Sequence, residues 1–228
     1  MNRMRIGIIG SGVVGQTLGA KLANIGHQVV LGTRSPEDLG TKRGMQKTSL
    51  GEWLAQAGAN ARVATFADAA QHGEIVINAT GGMVSLDALS AAGDRNLEGK
   101  ILIDAGNPLD FSKGMPPVLS VCNDDSLGEQ IQRAFPRARV VKALNTVTAP
   151  LMVNPAAVAG GEHHLFICGD DASAKAQVTG WLGEWFGWRH VIDVGPIDAA
   201  RGTEMVLPLW IRLMSGLGTP MFNFRIVQ

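Results

Sequence analysis

Three glycines stand in the run Gly10-Ser11-Gly12-Val13-Val14-Gly15, directly after the apolar stretch Arg5–Ile9. A G-x-G-x-x-G spacing can hold a pyrophosphate: the first glycine allows a tight turn, the second carries no side chain to keep the anion away, and the third lets helix and strand pack closely. With 29 glycines in 228 residues, chance alone yields that spacing about half a time, so context decides. Here an apolar strand precedes the run and an amphipathic helix follows it, with Val14, Leu18, Leu22 and Ile25 on one face and Gly26 just past its end. The backbone around Ser11, Val13 and Val14 then offers the N–H groups of a helix start to an anion.

The region after the second expected strand sharpens the chemistry. Domains selective for NAD carry an acid about 20 residues after the glycines, which holds the adenosine ribose hydroxyls. Val30, Leu31 and Gly32 occupy that region and none is acidic; the chain continues Thr33-Arg34-Ser35, with Lys42 and Arg43 nearby. Two hydroxyls and a guanidinium suit a 2′-phosphate, so NADP(H) is the expected cofactor. The plainer reading of Arg34 is a solvated cation beside the helix-starting group Ser35-Pro36-Glu37. Two later loops also fall at strand ends, where open α/β sheets bind ligands: Asn78-Ala79-Thr80-Gly81-Gly82-Met83 and Asp104-Ala105-Gly106-Asn107-Pro108. Their small residues would let a nicotinamide ribose approach the backbone, and Asn107 could hold a hydroxyl or carboxamide; otherwise they are ordinary turns.

The elements that must position these residues alternate. Strands are expected at Arg5–Ile9, Gln28–Gly32, Arg62–Phe66, Ile75–Ala79, Lys100–Ala105 and Arg139–Leu144, several as continuous apolar runs suited to burial on both faces. Helices are expected at Leu50–Ala57, Ala67–Gln71, Leu86–Ala92 and Leu127–Phe135. This is an α/β pattern: a Rossmann-type doubly wound parallel sheet over residues 1–150. Pro150, Pro155, Gly160 and Gly161 make Thr148 to His164 a linker or long crossing loop. A small C-terminal α/β unit, residues 151–228, should follow, with strands at His164–Cys168, His190–Val194 and Phe222–Val227 and helices at Ser173–Phe186 and Ala199–Gly216. Asp170 and Asp171 read as helix-starting acids rather than a catalytic pair. Trp181, Trp185 and Trp188 read as core or interface bulk.

Composition narrows the partners. The chain is 46% hydrophobic and 18% charged, and its 20 basic residues match its 20 acidic ones, which recommends neither nucleic acid nor an anionic membrane. No leader pattern or membrane-length apolar run is read, and Cys122 and Cys168 are read as reduced thiols, so a cytoplasmic location is expected. No metal site is expected: His163 and His164 are neighbours on a strand and point to opposite faces. Trp210, Leu213, Met214, Met221 and Phe222 offer more apolar surface than so small a unit can bury, and a homodimer is expected from it.

The runs Gly10–Gly15, Gly32-Thr33-Arg34-Ser35, Asp104-Ala105-Gly106-Asn107-Pro108 and Val140-Val141-Lys142-Ala143-Leu144-Asn145-Thr146 occur in an order that resembles the NADPH:coenzyme F420 oxidoreductase family. Ala199–Glu204 and Phe222-Asn223-Phe224 extend the resemblance towards the end of the chain. The same dinucleotide domain resembles the cytosolic part of membrane ferric reductases, whose membrane segments have no match here. The resemblance implies a Rossmann domain that holds NADP(H), a small C-terminal unit that closes over it, and direct hydride transfer between nicotinamide and a deazaflavin. It places Ala143, Leu144, Asn145, Thr146 and Val147 beside the nicotinamide and the incoming ring, in positioning roles, with no acid, base or covalent nucleophile required. Deazaflavin-using archaeal members tend to carry histidine where Asn145 stands and isoleucine at Val147, which leaves a flavin, a quinone or another small acceptor open. Two rivals remain: a reductase of a small carbonyl or imine, whose relatives normally have a longer helical second domain, and an NADP(H)-binding redox sensor that turns nothing over.

Overall fold

The computed structural model describes residues 2–41 and 48–228; Lys42 and Arg43 lie outside them. The first crossovers are β1 (Arg5–Ile9), α1 (Val13–Asn24), β2 (Gln28–Gly32), α2 (Leu50–Ala57), β3 (Ala61–Ala64), α3 (Phe66–His72) and β4 (Ile75–Asn78). Next come α4 (Ser85–Ala92), α5 (Asp94–Leu97), β5 (Ile101–Asp104), the strands β6 (Leu109–Asp110) and β7 (Val118–Leu119), α6 (Leu127–Ala134) and β8 (Arg139–Ala143). The chain closes with α7 (Ala149–Val153), β9 (Leu165–Cys168), α8 (Ala172–Trp181), β10 (Val191–Asp193), α9 (Ala200–Met205) and α10 (Leu207–Leu217).

Among the described residues, eight strands form one sheet in the order β10-β9-β8-β5-β4-β1-β2-β3. Every pairing is parallel except β8 with β9, where Lys142 faces Cys168 and Ala143 faces Ile167 in antiparallel register. The strands of the C-terminal part therefore extend the first sheet. The order of connection reverses between β1 and β4, and the crevice at such a switch point is where doubly wound sheets take ligands.

Period-two alternation sorts the strand residues between two cores. Val29 and Leu31, Ile101 and Ile103, Val141 and Ala143 point to the side covered by α1, α2, α7 and α8. Val30, Leu102 and Val140 point to the side covered by α3, α4, α5 and α6. Each fully buried Leu or Ile contributes about 1.5–3 kcal/mol to such cores. Trp185 and Trp188 are buried in the first of them, with Trp181 stacked on Trp185 at 5.2 Å and the Trp188 indole donating to the Met152 carbonyl.

Several expected elements are redrawn. The third strand ends at Ala64, because Thr65 caps α3 by accepting from the Asp68 N–H, and Phe66 is already helical. The crossing loop contains α7, with Pro150 in its first turn, where the missing N–H is not needed. The helix expected over Ala199–Gly216 breaks at Val206, and Pro208 opens α10. α8 ends at Trp181 and passes into a π-type turn, Leu182–Phe186. The strand expected at Phe222–Val227 does not form. That tail instead lies against residues 163 and 164: the His164 N–H donates to the Phe224 carbonyl and the Ile226 N–H to His164 Nδ1. One backbone bond plus side-chain bonds makes no ladder.

Candidate dinucleotide site

β1 hands over to α1 through the glycine turn. Gly10 has φ +114°, and a Cβ there would come within 2.7 Å of the Ala79 carbonyl oxygen. A Cβ on Gly15 would overlap the Gly10 carbonyl, so the start of α1 can approach β1 only with glycine there. A Cβ on Gly12 would meet nothing within 4 Å among the described residues; its missing side chain leaves open space there. α2, α3, α6 and α8 begin with a side-chain cap, from Ser49, Thr65, Ser126 and Asp171. α1 begins at Gly12 with no side-chain cap and no acid in its first turn, so its first N–H groups and its dipole suit an anion.

Beside this turn lies a cleft of about 740 Å³, walled by Gly10–Gly12, Thr33 and Arg34, Thr65 and Phe66, and Ala79–Gly81, with Val84, Asp87, Ala88 and Ala91 of the α4 region. Thr33 is buried and Arg34 exposed. Val13, Val14 and Gly15 form the first turn of α1 behind it, and Ser35 follows Arg34. Thr65 and Phe66 were hidden in the sequence by a strand-like β-branched and aromatic pair.

Gly106, Asn107, Ala143, Asn145 and Val147 do not line this cleft. They gather at the ends of β5 and β8, linked to it where the Gly82 N–H donates to the Asn107 carbonyl. Asn145 and Asn107 grip each other: Asn107 Nδ2 donates to the Asn145 carbonyl at 2.8 Å and Asn145 Nδ2 to Asn107 Oδ1 at 3.0 Å. Asn145 Nδ2 also donates to the Thr203 carbonyl, which fixes the amide's orientation and ties α9 to the strand ends. The chain leaves β8 through Leu144 at φ +67°, a conformation that costs about 1–2 kcal/mol in a residue with a Cβ. Asn145 Oδ1 and the Thr146 hydroxyl are buried without a hydrogen-bond partner among the described residues, a state that costs about 1–3 kcal/mol per group unless a ligand supplies the partner.

Behind these loops Asp104, Lys142 and Glu204, met in the sequence only inside separate runs, come together as a group of charges. Lys142 is fully buried, on the α6 side of the sheet two residues along from Val140. Its ammonium donates to Asp104 Oδ2 at 2.8 Å, Glu204 Oε1 at 2.6 Å and the Gly106 carbonyl at 2.6 Å. Asp104 Oδ1 accepts from Asn78 Nδ2 and the Gly106 N–H. Glu204 accepts from the Leu127 and Gly128 N–H groups that open α6. Burial works against the Lys142 ammonium, but Asp104 and Glu204 outweigh it and hold its pKa above the usual lysine value. Burial pushes the Glu204 carboxyl above the ordinary carboxylate range, with Lys142 pulling the other way. Every carboxylate oxygen in the group faces donors only, so the hydrogen bonds fit two carboxylates and one ammonium. Cys168 sits opposite Lys142, and burial pushes its thiol up to about 12, which keeps it neutral.

The other acids singled out are structural here: Asp171 caps α8 through the Ala174 N–H, and Asp170 accepts from the Ile197 N–H. Among the described residues no helix is long and apolar enough to cross a membrane.

Comparison with known proteins places this geometry. The family pattern described as NADP oxidoreductase, coenzyme F420-dependent, matches residues 5–108. A solved structure from Arthrobacter sp. FB24, provisionally designated an F420-dependent NADP-reductase, is 51% identical over 99% of this chain and 100% of that one, with a TM-score of 0.92. The metalloreductase STEAP3 of Rattus norvegicus is 29% identical over 90% of this chain, which spans only 38% of that longer protein. A reductive aminase from Aspergillus terreus, solved with NADPH and ethyl levulinate, shares the fold at 17% identity and a TM-score of 0.64, over 94% of this chain and 63% of that one. The match along the whole length of the Arthrobacter protein, joined to the glycine turn and the strand-end loops, makes this chain a member of the coenzyme F420-dependent NADP oxidoreductase family.

Proposed function

We propose that this chain binds NADP(H) across the carboxyl edge of the sheet and moves a hydride directly between the nicotinamide and a flat deazaflavin or flavin-like acceptor. The observation that carries the reading is the cleft that joins an uncapped glycine turn to Thr33 and Arg34, with no acid in the place where NAD-selective domains keep one. The α1 N–H groups hold the pyrophosphate, and Arg34 with Thr33 and Ser35 holds the 2′-phosphate. Ala79–Gly81 leave room for the nicotinamide ribose. Asn145 Oδ1 and the Thr146 hydroxyl, both unpartnered, take up the polar edge of the nicotinamide or acceptor.

When bound, the dinucleotide supplies the hydride. The residues around it hold the two rings in contact and exclude water, which suits a reaction limited by approach and orientation. Residues 151–228 serve as the acceptor-side and dimerisation unit in this reading. Thr203 and Glu204 of α9 reach the strand ends; of the residues expected to form a homodimer, Met221 is exposed and Trp210, Leu213, Met214 and Phe222 are half-buried, while Met205, Leu209 and Leu217 add exposed apolar surface for it.

The test is NADPH oxidation followed by absorbance with a deazaflavin, with riboflavin phosphate or with no acceptor. Turnover with the deazaflavin alone is expected; tight NADPH binding with no turnover on any acceptor would favour a redox sensor instead.

A further inference from the structure

The charges behind the strand ends do not cancel. Asp104 and Glu204 contribute two negative charges and Lys142 one positive, all three side chains at 1% exposure or less. The start of α6 offsets about half a charge through the two N–H groups that Glu204 accepts. A net negative charge is left behind Gly106, whose N–H and carbonyl are both held by the group, at Asp104 Oδ1 and Lys142 Nζ.

We propose that Asp104, Lys142 and Glu204 form a fixed negative charge that binds the oxidised, cationic nicotinamide in preference to the reduced, neutral one. This rests on the proposed reading in which Asn145 and Thr146, at the end of β8, take up the polar edge of the nicotinamide. Folding alone does not require the excess. One carboxylate would pair the ammonium, and the Gly106 carbonyl already serves as its uncharged acceptor. The second carboxylate adds a charge that stays unscreened because it is buried. The two states of the nicotinamide differ by one positive charge, so a buried negative charge acts on their difference and eases departure of the hydride, as fixed dipoles do when charge develops in a reaction. The three residues act at a distance through Gly106 and are positioning residues.

The test is equilibrium binding of NADP+ and of NADPH, measured separately on the full chain, wild type and Glu204→Gln. In the variant the ratio of the NADP+ to the NADPH dissociation constant should rise by roughly tenfold, chiefly through weaker NADP+ binding. Asp104→Asn removes the same charge from the other side of Lys142 and should move the ratio the same way. Arg34→Ala, which acts on a phosphate common to both forms, should leave the ratio unchanged. A ratio unmoved in a folded charge variant, or moved as far by Arg34→Ala, overturns the proposal while the dinucleotide reading stands. Wild type that binds neither form overturns that reading itself. If neither charge variant folds, the wild type still decides. NADP+ bound at least as tightly as NADPH supports the proposal, and NADPH bound about tenfold more tightly overturns it.

Discussion

The cleft beside the glycine turn and the buried floor behind β5 and β8 occupy neighbouring stretches of one sheet edge, and they are built in opposite ways. The cleft is made of absences: a glycine with open space where a side chain would be, a helix with no cap and an exposed guanidinium. The floor is made of side chains that satisfy one another at less than 3 Å, brought from residues 78, 104, 142 and 204. Changes in the cleft should therefore alter binding and spare stability, whereas changes in the floor should alter stability first.

The largest effect should follow Lys142→Met, which leaves Asp104 and Glu204 buried without a counter-charge. Destabilisation of about 3–5 kcal/mol is expected, read from urea unfolding; a loss under about 1 kcal/mol would show that the floor is not the rigid part. Gly12→Ala sits at the other extreme. No atom of the described residues lies within 4 Å of the added methyl, so the unfolding midpoint should hardly move, while NADPH affinity should fall by about tenfold or more as the methyl enters the space proposed for the pyrophosphate. Arg34→Ala should lower the preference for NADPH over NADH by about tenfold, the worth of a charge-assisted hydrogen bond to phosphate. A stability change beyond about 0.5 kcal/mol would give Arg34 a structural role that the comparison denies it.

The smallest effect concerns an ion pair outside both regions. Arg133 holds the Asp125 carboxyl down to about 2, below its usual value. A depressed folded pKa gives stability that is complete above the ordinary carboxylate value and is lost as pH falls through about 2. The Arg133 side chain is 60% exposed, so solvent screening leaves a few tenths of a kcal/mol at most. Asp125→Asn should flatten the stability curve slightly between about pH 4 and 2 and leave nucleotide binding unchanged.

The same contrast explains what could be read from the chain. The glycine turn, β1, β2, β4 and α2 were legible because local period and turn chemistry specify them within a few residues. Thr65 and Phe66 were misplaced because a β-branched and an aromatic residue suit a strand as well as a capped helix start. The floor was overlooked although a signal for it existed. A lysine inside Val140-Val141-Lys142-Ala143-Leu144, a strand expected to be buried on both faces, requires buried partners. Which carboxylates answer it depends on contacts across 38 and 62 residues of chain, and no local pattern carries that. The short α7 and the break at Val206 went unseen for a related reason: a proline in the first turn of a helix reads as a breaker unless the start of that helix is already known.

The central claim is that the edge of this sheet is an NADP(H) site, and parallel titrations of the wild-type chain with NADPH and NADH test it most directly. NADPH should bind at least about tenfold more tightly than NADH; equal affinity, or binding of neither, would contradict it.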